Sequence, residues 1–322
     1  MDAQTRTDGS PLMEQLPTLR AAYSDRVALL MARLSAAAYQ RFESEGEEGL
    51  RAEVAELGFR VTRVFFDPPK RSWFRRNLGT EAYFCENDQM AVLVFRGSNA
   101  GTDWITNINI FKKRIPTGRY DGEEQFVKVH AGFFRAFEQH WSAIQVEVDR
   151  VIVESTRKPI FITGHSLGGA LAQLATAAFS CDQIAACYSF GSPRAGGKSL
   201  DLFVKPPHYR VTNQSDTVPF MPAYILGYRH AGDARSLVEK PPTLRRHSRG
   251  IFHQWIIVLL MLPLLPINLI TLNRVRANTL IRHHNIKTYV RRLEELVQRR
   301  SSLENTVFAQ RSDAPPSTDR LA

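Results

Sequence analysis

Pro159-Ile160-Phe161-Ile162-Thr163-Gly164-His165-Ser166-Leu167-Gly168-Gly169-Ala170-Leu171-Ala172-Gln173-Leu174 is the stretch that decides the fold. Its first five residues are strand-like, its last six are small and helix-prone, and between them lies a G-x-S-x-G pentapeptide. Such a pattern recurs by accident, so its surroundings carry the argument. A sharp strand-to-helix turn lifts the central hydroxyl out of the sheet and aims a helix N-terminus at it. The flanking glycines permit close strand–helix approach and unusual dihedrals. Strand, turn and helix all fit, which makes Ser166 a candidate nucleophile.

A serine nucleophile needs a base, and the base needs an orienting group. On this strand–turn–helix plan the acid and then the histidine follow the serine. The β-prone run Tyr209 to Thr212 leads into the polar turn Asn213-Gln214-Ser215-Asp216-Thr217-Val218-Pro219. That puts Asp216 at the carboxyl end of a strand, where sites of open α/β sheets collect. The bland alternative is a turn aspartate bonding only its own backbone. Asp182, Asp201 and Asp233 lack the strand-end context. His208, His230, His247, His253, His283 and His284 all follow the serine, and the physics of the residues does not choose among them. One oxyanion donor is expected from the backbone N–H of Leu167, and a second from a loop after an earlier strand. Met90 to Phe95 reads as that strand, closed by Arg96-Gly97.

Five blocks in order resemble the class 3 lipase family, which includes fungal triacylglycerol lipases. They are Val94-Phe95-Arg96-Gly97-Ser98 with Asp103-Trp104, Val129-His130-Ala131-Gly132-Phe133, Gly164 to Ala170, Phe190-Gly191-Ser192-Pro193-Arg194, and Asn213 to Pro219 with Gly227-Tyr228-Arg229-His230. They cover about residues 90–232, joined by a C-terminal histidine segment. The resemblance implies an α/β-hydrolase fold, a mostly parallel central sheet flanked by helices. It implies a serine hydrolase of lipid esters, an acylglycerol lipase working through an acyl-enzyme, without metal or organic cofactor. The family's catalytic histidine precedes an apolar residue by two positions and a tyrosine by five. His284, Ile286 and Tyr289 match; His283 is out of register, and His230 matches another family position. The acid-to-histidine stretch is longer than the family's. The likeness also assigns the second oxyanion donor to Ser98, and a lid to the amphipathic stretch Asn99 to Phe111, with Asp103, Trp104, Ile105 and Ile108.

Composition sets the outer bounds. The 322 residues carry a formal net charge of +10. Neither a zinc pattern nor a basic face interleaved with aromatics accompanies that charge, so nucleic acid is not an expected partner. Basic residues cluster at Lys112 to Arg114, Lys240 to Arg249, Arg274 to Arg282 and Arg291 to Arg300. Two clusters bracket residues 250–273, which contain no Asp, Glu, Lys or Arg. One crossing of a bilayer there would strand Asp216 and His284 on opposite sides, and Pro263 and Pro266 interrupt a helix. The expectation is an interfacial insertion over 251–272, with Trp255, Ile256, Leu259, Leu262 and Leu265 dipping into an anionic membrane or lipid-droplet surface. Cys85, Cys181 and Cys187 are odd in number and lack metal spacing. With the polar start of the sequence, they give the expectation of a cytoplasmic, peripherally membrane-associated protein.

The expected organisation is a disordered 1–15, one domain over 16–300 and a disordered tail over 301–322. Within the domain, helices are expected over Leu16 to Phe42, Phe133 to Glu154 and Arg274 to Arg300, and strands over Phe59 to Phe66, Glu81 to Glu86, Met90 to Phe95 and Ile184 to Phe190. Rival readings are a phospholipase A-type enzyme, a soluble carboxylesterase or acyltransferase, and a lipase-like binding protein without catalysis.

Overall fold

The structure is a computed structural model, and it describes residues 22–39, 47–66, 81–98, 111–120, 123–155, 157–179, 183–237 and 283–312. A seven-stranded sheet runs through it. Its strands are β1 (Arg60–Phe65), β2 (Ala82–Glu86), β3 (Ala91–Phe95), β6 (Ile160–His165), β7 (Ile184–Phe190), β8 (His208–Thr212) and β9 (Asp233–Ser236), in that spatial order. β1, β2 and β3 pair antiparallel; from β3 onward every pairing is parallel. A separate hairpin joins β4 (Lys112–Tyr120) to β5 (Glu123–His130).

Strand alternation splits the core in two. Leu93, Phe95, Ile160 and Ile162 face one side, where α3 (Ala131–Glu138), α4 (Trp141–Glu154) and α5 (Leu167–Ala178) pack. Val92, Val94, Phe161, Tyr188 and Phe190 face the other, against α1 (Asp25–Ala37), α2 (Glu48–Glu56) and the start of α6 (Ile286–Ser312). Strands buried on both faces read as continuous apolar runs, as β3 does. Each large apolar side chain fully buried this way stabilises the fold by about 1.5–3 kcal/mol. The fold is thus the α/β type the resemblance implied, a mostly parallel sheet between helical layers.

Register positions the site. Phe95 pairs with Gly164, His165 with Phe190, and Phe190 with Val211. The residues just beyond these strand ends, Gly97, Ser166, Gly191 and the Asn213–Asp216 turn, therefore converge on one edge of the sheet.

Some elements differ from the sequence expectations. The helix expected over 133–154 is two, broken at Gln139–His140. The break lets Phe133, Phe137, Ile144 and Val148 all reach the same core, with the Phe137 and Trp141 rings packed at 4.7 Å across it. His130 opens α3, its Nδ1 accepting from the Phe133 amide at 3.1 Å. The hairpin β4–β5 was not foreseen; Pro116 and Gly118 look like breakers, and a register shift between them absorbs both. The tail expected to be disordered from 301 is corrected in part: α6 continues to Ser312, since Ser301 to Ser312 contain neither Gly nor Pro. The expected N-terminal 1–15, the lid Asp103, Trp104, Ile105 and Ile108, and the interfacial Trp255, Ile256, Leu259, Leu262 and Leu265 lie outside the described residues.

Candidate active site

Ser166 is the only non-glycine residue with positive φ among the described residues, at φ 59° and ψ −128°. Such a conformation costs about 1–3 kcal/mol and persists only when the surroundings hold it. Its N–H donates to the Phe190 carbonyl at 2.9 Å, and its own carbonyl accepts from the Gly169 amide at 3.0 Å. The glycines are required by contact. A Cβ on Gly164 would lie 2.4 Å from the Gly168 carbonyl, and one on Gly168 would lie 2.2 Å from the Phe95 oxygen. The hydroxyl of Ser166 is buried, and its Oγ has no hydrogen-bond partner among the described residues. Leu167 opens α5, so its amide has no intrahelical acceptor and sits at the positive end of the helix dipole.

Asp216 is fully buried in the turn after β8. Its Oδ1 accepts from the Val218 amide at 2.9 Å. Its Oδ2 accepts from His284 Nδ1–H at 2.8 Å and from the Tyr289 hydroxyl at 2.5 Å. A carboxylate that only accepts fixes the imidazole tautomer, so His284 Nε2 carries the lone pair, and it has no hydrogen-bond partner among the described residues. Burial, then the charge of Asp216, pushes the Tyr289 phenol well above its ordinary range, so it stays a neutral donor. The loop carrying the histidine is tied down separately. Asn213 Nδ2 donates to the His283 carbonyl at 3.1 Å, and Arg292 donates to Asn213 Oδ1 at 2.6 Å. Gly191, at φ +56°, leaves room for the pair. A Cβ there would lie 2.6 Å from Asp216 Oδ2 and 3.1 Å from His284 Cε1.

The serine turn and the acid–base pair adjoin through His165. Its ring centroid lies 4.6 Å from that of His284, and its Nε2 bonds the His284 carbonyl oxygen at 2.6 Å. Its Nδ1 meets the Tyr39 hydroxyl at 2.7 Å. Burial, followed by nearby His284, holds the His165 pKa well below its ordinary value. On the other flank, a Cβ on Gly97 would come within 3.1 Å of Ser166 Cβ, so half-buried Ser98 follows directly on the loop against the nucleophile. The buried Arg96 guanidinium pairs with Glu81 beneath that loop.

The structure therefore brings Ser166, Leu167, Asp216, His284 and the Gly97–Ser98 loop to one edge. His208 and His230 lie elsewhere: His208 bonds Ser189 Oγ at 2.8 Å and burial pushes its pKa down to about 3, while His230 donates to the Pro219 carbonyl at 2.7 Å. His247 and His253 lie outside the described residues. No group of His, Cys, Asp and Glu among the described residues could hold a metal ion. Sequence reading missed Tyr39, Asn213 and Arg292, and treated Tyr289 as a pattern mark without a function. A hydroxyl, an imidazole lone pair and a buried carboxylate are the parts of nucleophilic acyl transfer.

The sheet and its flanking helices have the α/β-hydrolase fold. Residues 92–225 match the model of the lipase (class 3) family. A secreted mono- and diacylglycerol lipase 1 from Fusarium solani is 36% identical over 143 residues, covering 43% of this chain and 41% of that protein. A lipase from Rhizomucor miehei is 26% identical over 171 residues, covering 49% of this chain and 44% of that one. The chain thus spans less than half the length of the curated relatives it matches. Among solved structures, the lipase of Rhizopus microsporus var. chinensis superposes with a TM-score of 0.55 at 23% identity, over 75% of this chain and 86% of that one, a likeness of fold. The cytoplasmic expectation is corrected. The Fusarium relative and one from Penicillium cyclopium are by name secreted. Cys85 and Cys187, from which that expectation partly came, are buried in the sheet, where they pack as small apolar groups and report no compartment.

Proposed function

We propose that the protein hydrolyses carboxylic esters of lipids, acylglycerols foremost, with Ser166 as nucleophile, His284 as general base and acid, and Asp216 as orienter. The observation that carries this is the buried His284–Asp216 pair at 2.8 Å beside a serine held in a strained strand-to-helix turn. The Ser166 hydroxyl attacks the ester carbonyl while His284 Nε2 takes its proton. Asp216 stabilises the resulting imidazolium through Nδ1–H and stays ionised, supported by Val218 and Tyr289. The amides of Leu167 and Ser98 hold the oxyanion, each such donor lowering the barrier by about 3–4 kcal/mol. The imidazolium then protonates the leaving alcohol. Water, deprotonated by the same nitrogen, releases the acid from the acyl-enzyme.

Acylglycerols are favoured because two relatives, each matched over 143 residues, are named mono- and diacylglycerol lipases. The amphipathic sequence Asn99 to Phe111, which the family likeness reads as a lid, the apolar 251–272 and the basic clusters support action at a lipid surface. No helix among the described residues is long and apolar enough to cross a membrane. The test is hydrolysis of a long-chain acylglycerol emulsion across its solubility limit. Wild type is expected to accelerate when the interface forms. Ser166→Ala is expected to lose at least about 10⁴-fold in rate. Activity surviving in the variant would remove Ser166 from the mechanism.

A further inference from the structure

We propose that Tyr39 and His165 form a positioning chain that clamps the base-bearing turn and the oxyanion loop onto the nucleophile strand. The inference rests on the hydrolase reading above. Its direction follows from hydrogen-bond chemistry. The His284 carbonyl can only accept, so His165 Nε2 must carry the proton of the 2.6 Å bond. His165 Nδ1 is then an acceptor, and the Tyr39 hydroxyl must donate across 2.7 Å. Burial raises the phenol's pKa, and the charge of Arg96 followed by the Gly97 backbone offsets part of that rise. A Cβ on Gly97 would overlap the phenol oxygen, at 2.1 Å.

One phenol therefore touches the loop that carries Ser98 and, through one imidazole, the backbone of His284. These are the two parts that must keep their spacing from Ser166 as charge develops. The chain also keeps a second charge away from the base. The His165 ring lies 4.6 Å from His284, and its burial holds it neutral while His284 becomes imidazolium. Tyr39 comes from just beyond the end of α1, 126 residues before the imidazole it bonds. Neither residue contacts substrate in this account; both act by holding others.

Tyr39→Phe keeps the ring and deletes the donor. Fluorophosphonate labelling of Ser166, and kcat on a soluble short-chain ester, are both expected to fall about tenfold, with KM unchanged. In wild type, ¹⁵N NMR should find His165 protonated at Nε2 alone; in Tyr39→Phe that single tautomer should be lost, and the downfield His284 Nδ1 proton should broaden. Unchanged labelling together with an unchanged tautomer would overturn the proposal. So would a loss confined to KM, or one that merely follows the fall in Tm. If Tyr39→Phe does not fold, the wild-type tautomer decides, and protonation at Nδ1 sinks the chain. A wild type that fails to label would instead sink the hydrolase reading, leaving the tautomer to judge the chain alone.

Discussion

The two halves of the candidate site are held by different physics. The nucleophile half is local: Ser166 and the glycines that let it strain lie within five residues, and backbone contacts hold them. The base half is long-range. His284 and Tyr289 meet Asp216 across 68 and 73 residues, and Arg292 meets Asn213 across 79. It depends on α6 docking against α1, where Ile286, Tyr289 and Leu293 join the core that Leu30, Met31 and Leu34 help build. The Arg33–Glu294 pair at 2.7 Å borders that seam, half-buried at best, and is worth at most about 1 kcal/mol. The apolar seam, rather than the ion pair, keeps the base in place. One half thus carries its geometry as strain in a short segment, the other as hydrogen bonds that exist only once distant segments meet.

The sharpest way to break this comparison is Asp216→Asn. An amide in place of Oδ2 cannot accept from both His284 and Tyr289 without turning its own NH₂ toward the Val218 amide. The imidazole tautomer is then no longer fixed, and kcat should fall about 10⁴-fold while the serine turn stays intact. Retained kcat would show that the base half does not depend on that carboxylate.

Acid should weaken the fold around both halves next. His165, His208 and His230 are buried with pKa values held below the ordinary 6.5, burial being the first cause; Arg210 adds to it for His208, and Arg210 with Arg194 for His230. The folded state binds fewer protons than the unfolded, so this stability is complete above pH 6.5 and falls as pH drops below it. For His208 the loss continues to about pH 3. Each histidine contributes a slope of about 1.4 kcal/mol per pH unit. Urea midpoints at pH 7 and pH 5 should differ accordingly, and His208→Gln should remove one share of the slope. An unaltered slope in that variant would mean the proton goes elsewhere.

The smallest expected effect is a gain. Ser166→Gly removes strain of about 1–3 kcal/mol and adds about 0.5–1 kcal/mol of unfolded-state entropy, so the inactive variant should be more stable by about 1 kcal/mol. A lower Tm would show that the turn is not strained.

The same contrast explains what the sequence alone could convey. The Gly164–Gly168 turn, the strand before it, the helix after it and the position of Asp216 after β8 follow local patterning, which a single sequence displays. His284 did not: six histidines followed the serine, and only a family spacing picked one. Tyr39 left no trace, because its partner is 126 residues away and its surroundings, Ala36-Ala37-Ala38-Tyr39, read as part of the helix expected over Leu16 to Phe42. The break at Gln139–His140 was hidden as well, since apolar spacing continues through it and only the shared core forces the bend.

The placement of Tyr289 in the last described helix bears on how the protein is made. Ser166 leaves the ribosome roughly 120 residues before Tyr289, on the order of 6–25 s at ordinary elongation rates. Through that interval the nucleophile turn can form, but the carboxylate lacks both its imidazole and its phenol. On the proposed mechanism, a product arrested before His284 and Tyr289 are made has the nucleophile turn but no oriented base, and is inactive.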